Sequence, residues 1–74
     1  MTRNELLDWR DIWESKISGN MEALTDAIVY HSDNICHRHA PYLTVEAWTK
    51  NVVFKATVEE AKQNLERIKK RLGL

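Results

Sequence analysis

The chain has 74 residues, 30% of them charged, with two glycines, one proline and a formal net charge of zero. That length holds one domain, residues 1–74, near the lower limit for a self-sufficient core. Disulfides within the chain are excluded because Cys36 is the only cysteine, and so few turn residues argue against an all-β domain.

A lone thiol suits a reducing compartment. The segment after Met1 is charged rather than apolar, unlike an export signal. No apolar run approaches the roughly 20 residues that cross a bilayer. The expected location is cytoplasmic, with no membrane partner. Charge is unevenly placed: residues 1–37 carry three basic and seven acidic side chains (−4), residues 38–74 eight basic and four acidic (+4).

The first helix opens at Thr2 and Glu5, which have capping-box spacing, with Met1 and Leu6 placed as a hydrophobic staple. Leu6, Trp9, Trp13, Ile17, Met21, Leu24, Ile28, His31 and Ile35 then follow at steps of three or four. Eight steps over 29 residues average 3.6, the period of a straight helix. Because the stripe keeps phase through Ser18-Gly19-Asn20, the pattern favours one helix over about 3–37, kinked or weakened at Gly19. A true break there is the competing reading.

Pro41 ends the first helix, since it lacks an amide hydrogen and disfavours helical angles at Ala40. Thr44 caps a second helix over about 44–72, whose stripe is Val45, Trp48, Val52, Val58, Ala61, Leu65, Ile68 and Leu72. Thr57 to Glu60 is a further capping-box match, so a restart near Thr57 is plausible. Lys69, Lys70 and Arg71 suit the negative end of the helix, and Gly73 suits a left-handed cap.

The expected fold is therefore all-α: an antiparallel hairpin of two long helices. Pairing about Pro41 brings Asp33 to Lys50, Asp26 to Lys55, Lys16 to Glu66 and Asp11 to Arg71, against one mismatch of Glu22 with Glu60. Apolar residues cover close to half of the first helix, more than one partner helix buries. A homodimeric four-helix assembly would cover the surplus. The alternative is a monomeric three- or four-helix bundle broken at Gly19.

Among candidate sites, His31, Cys36, His37 and His39 are crowded within nine residues and lack the paired spacing of structural zinc. They remain a weak metal candidate, and no cofactor is expected. Cys36-His37 diverge on a helix and lack an orienting third group. Asp8, Asp11 and Glu14 read as a solvated face. No catalytic residue emerges, and no enzyme is expected. Lys62, Arg67, Lys69, Lys70 and Arg71 make a basic patch that backbone phosphates would suit, although a pI near 6.8 weakens that reading.

Large rings are frequent, and Trp and Tyr dominate interface hot spots. Trp9, Ile12, Ala27, Tyr30, Val53 and Phe54 lie off the central stripes and are the expected surface for a second chain or a partner. The expected function is a non-enzymatic module that binds and modulates or inhibits a larger protein. A regulator or phage or mobile-element accessory factor, such as an inhibitor of a host transcription regulator, would fit that description. The alternative is a dimeric hairpin that binds RNA or DNA through its basic last helix.

Overall fold

A computed structural model describes residues 2–35 and 42–73, and the fold is all-α. Helix α1 runs Arg3–Ser18, with the Thr2 side chain accepting from the Glu5 amide at 3.2 Å. It ends at Gly19, whose φ of 79° is a left-handed C-cap with its N–H on the Lys16 carbonyl. Asn20 at once caps α2, Met21–His31, its Oδ1 accepting from the Ala23 amide at 3.1 Å. The local chemistry of Ser18-Gly19-Asn20 is thus a stop followed by a start, which a continuous helix cannot accommodate.

A single 3-10 turn, Ser32–Asn34, follows α2. Helix α3, Val45–Lys55, begins under the Thr44 cap and stops at Ala56, which is extended. Helix α4, Val58–Leu72, restarts immediately on the full capping box of Thr57 and Glu60 and ends at left-handed Gly73. Among the described residues no helix is long and apolar enough to cross a membrane.

The two-helix hairpin gives way to four shorter helices folded on one another. A helix over 3–37 would reach about 52 Å at 1.5 Å per residue, but the longest dimension of the molecule is 34 Å. Helix α1 is central and packs most extensively on α4, then on α2; α3 packs on α2 and the 3-10 turn. The core joins Leu6, Trp9, Ile12 and Trp13 of α1 to Leu24 and Ile28 of α2, with Ile35, with Val53 of α3, and with Ala61, Leu65, Ile68 and Leu72 of α4. The chain's own helices thus cover Leu6, Trp9, Ile12, Trp13, Leu24 and Ile28 of the first segment, while Met21, Val29 and Tyr30 stay exposed.

Other details of the hairpin change with it. None of the four expected charge pairs forms among the described residues: Lys50 pairs with Glu46 at 2.7 Å, and Asp11 contacts His31. The Lys16 ammonium instead donates to the Phe54 carbonyl at 3.5 Å. The buried face of α3 is also rotated. Thr49 and Val53 are fully buried while Val52 is exposed, because the break at Ala56 frees α3 from the phase of α4.

Candidate partner-binding groove

Helices α3 and α4 are consecutive, yet they share almost no contact along their lengths. Their divergence from the Ala56-Thr57 corner leaves a groove of about 290 Å³ over the flank of α1. Leu6, Trp9 and Trp13 of α1 form its floor, Trp48 and Val52 of α3 one wall, and Asn64, Arg67, Ile68 and Arg71 of α4 the other. The rings are held by one another. Trp9 stacks on Trp13 with centroids 5.8 Å apart, and meets Trp48 edge-on at 6.2 Å. Both are favoured aromatic geometries, so the floor is a rigid apolar surface.

Helix α4 places a polar edge beside that surface. Its buried stripe of Ala61, Leu65, Ile68 and Leu72 faces α1, and Asn64, Arg67 and Arg71 lie along one flank of it. Arg67 and Arg71 are one turn apart, which sets their side chains about 6 Å from each other at the base. Both are exposed, and neither has an ion-pair partner among the described residues. No acidic side chain lines the groove. Among the described residues its lining also holds no nucleophile and no acid–base pair.

The residues expected at an interface separate into two groups. Trp9, Ile12 and Val53 are buried in the core, and of the three only Trp9 reaches the groove, as part of its floor. Ile12 is fully buried in the middle of α1, and Val53 is buried by the rotation of α3. Ala27 is half-buried against the core. Tyr30 and Phe54 are exposed, at 80% and 40%, but neither lines the groove.

The basic patch is divided. Lys62 and Lys69 fall on the flank of α4 opposite Arg67 and Arg71, and Lys70 points away from the core stripe, by the 100° advance per residue. Only the two arginines share a surface with the groove. As for the metal candidates, Cys36, His37 and His39 lie outside the described residues. His31 is engaged by α1: its Nε2 donates to Asp11 Oδ2 at 2.6 Å. Its Nδ1 lies 2.9 Å from Asp8 Oδ1, out of line for a hydrogen bond. Asp8 and Asp11 are therefore a clamp on α2 rather than a free solvated face. Among the described residues no group of three His, Cys, Asp or Glu side chains is arranged to hold a metal ion.

The sequence marks the tryptophans but not the groove. The available signal was Leu6, Trp9 and Trp13 on one face of α1, with Arg67 and Arg71 flanking Ile68. What it lacked was the divergence of α3 from α4. Protein-family models, curated proteins and solved structures yield no match to the chain, so this geometry carries the functional argument by itself.

Proposed function

We propose that the chain is a non-enzymatic module that binds a larger partner protein through the groove between α3 and α4. The observation that carries this reading is the groove itself: a rigid floor of stacked indoles beside two exposed, unpaired arginines. Rigid aromatic surface lowers the entropic cost of docking, and Trp and Arg are the residues that most often dominate binding energy. A chain of this size acts on its partner by occupying surface, so the consequence of binding is modulation or inhibition of that partner, as expected of a small regulatory or accessory factor. Nucleic-acid binding is the weaker reading because the five cations of α4 do not form one surface.

The test is a pull-down from nuclease-treated lysate with the wild-type chain and with Val52→Asp. Val52 is 38% exposed on the groove wall, so the substitution alters the site with little effect on folding. A stoichiometric protein band that survives nuclease and is lost with Val52→Asp supports the proposal. A band indifferent to Val52→Asp, or material that vanishes entirely with nuclease, refutes it.

A further inference from the structure

Building on that reading of the groove, we infer that the segment it receives is an acidic amphipathic helix of the partner, anchored by one bulky apolar side chain. The volume of about 290 Å³ lies at the lower end of cofactor and ligand pockets, and suits a single large side chain. The flanking walls are longer than that anchor requires. Helix α3 has eleven residues, roughly 16 Å, and α4 has fifteen, roughly 22 Å. A segment of two to three helical turns therefore fits along them.

Two features select helix and acid. The groove walls are helices whose backbone groups are already hydrogen-bonded internally, so an extended peptide would find no strand edge to pair with. A helix satisfies its own backbone and presents only side chains. Arg67 and Arg71 repeat at one turn, matching carboxylates at positions i and i+4 of a facing helix. No acidic residue of the groove competes for them, and the nearest acid on that flank, Glu60, is held in the capping box by Thr57 at 3.2 Å. Lys55, one turn beyond Val52 on α3, adds a third positive charge at the corner.

The test pans a random 12-residue displayed peptide library on the intact chain, and then on the Arg67→Glu/Arg71→Glu double variant. The expected consensus is a Trp, Phe or Leu with Asp or Glu three or four residues away, reversing to Lys or Arg on the double variant. A synthesised consensus peptide should shift tryptophan emission on binding. Its affinity should fall at least tenfold with each arginine reversal, and it should weaken between 50 and 500 mM salt. A neutral or basic consensus, an acidic one retained by the double variant, or no binder that depends on Val52 overturns the inference. So does direct binding of decanoate that is lost with Val52→Asp, in the absence of any peptide binder, which would mark a fatty-acid site. Light scattering provides a last arm: self-association abolished by Tyr30→Ala would assign the groove to the exposed face of α2 in a second copy, where Glu22, Asp26 and Tyr30 follow at steps of four, also overturning it. If the pull-down depends on Val52 while the consensus is neutral, the docking function stands and only the acidic helix fails.

Discussion

The break at Gly19 decides between a hairpin and a four-helix fold, and Gly19→Ala reads it by the sign of its effect. Gly19 has φ of 79°, and a methyl group added there meets no atom within 4 Å. The cost of alanine is therefore confined to the backbone, about 1–2 kcal/mol for an L-residue held in the left-handed region. Had residues 3–37 formed one helix, the same change would stabilise it by about 1 kcal/mol. A domain of 74 residues has a total stability of about 4–11 kcal/mol, so either effect is a measurable share. Urea denaturation followed by circular dichroism at 222 nm should show a loss of about 1 kcal/mol or more for Gly19→Ala, and a Tm lower by about 4–8 °C per kcal/mol. Gly19→Asn should lose less, because asparagine tolerates this conformation better. An increase in stability for Gly19→Ala would refute the break and restore the long helix.

Further expectations concern the parts that hold the site in place. Ile12 is fully buried, so Ile12→Ala should cost about 2–5 kcal/mol, while Tyr30→Ala should stay within about 0.5 kcal/mol; equal effects in urea titrations would contradict their placement. Thr57→Ala removes the two hydrogen bonds its hydroxyl makes with Glu60 while keeping the backbone half of the capping box, and should cost about 1 kcal/mol, more than Thr2→Ala, whose hydroxyl holds only the Glu5 amide. Thermal melts that rank the two the other way would count against the α4 start. His31→Ala unties α2 from Asp8 and Asp11 and should destabilise by about 1 kcal/mol, since the Asp11 contact is half-exposed and contributes less than a buried one. A neutral result in the same titration would show that the clamp holds nothing.

Several elements were legible in the sequence because their causes are local. Thr2, Thr44 and Thr57 cap helices through their own side chains, and Gly73 closes α4 with positive φ, all within a few residues of chain. Gly19 was misleading for a physical reason. Helices α1 and α2 both face the core, so the apolar stripe keeps its phase although the helix does not. The face of α3 was hidden for the opposite reason: once Ala56 breaks the chain, nothing in the α4 pattern fixes the rotation that buries Thr49 and Val53.

The groove depends on a tertiary angle, and no spacing encodes it. Arg67 and Arg71 look like ordinary positive charges near a helix C-terminus until Trp48 and Val52 are placed opposite them. Trp9 and Trp13 look like simple core residues, and by area they are, at 6% and 5% exposure. Their function as a groove floor comes from the space left above them where α3 departs.

Site-specific photo-crosslinking asks whether a partner protein occupies the groove between α3 and α4. A benzoylphenylalanine placed at Val52 reports what occupies the groove, and one placed at Tyr30 reports the outer face of α2. Irradiation in the native cell should give one discrete high-mass protein adduct from position 52, weakened by Arg67→Glu/Arg71→Glu, and none of that mass from position 30. An adduct formed only at position 30, or one from position 52 unaffected by the arginine reversals, would mean that the groove with its two arginines is not the docking site.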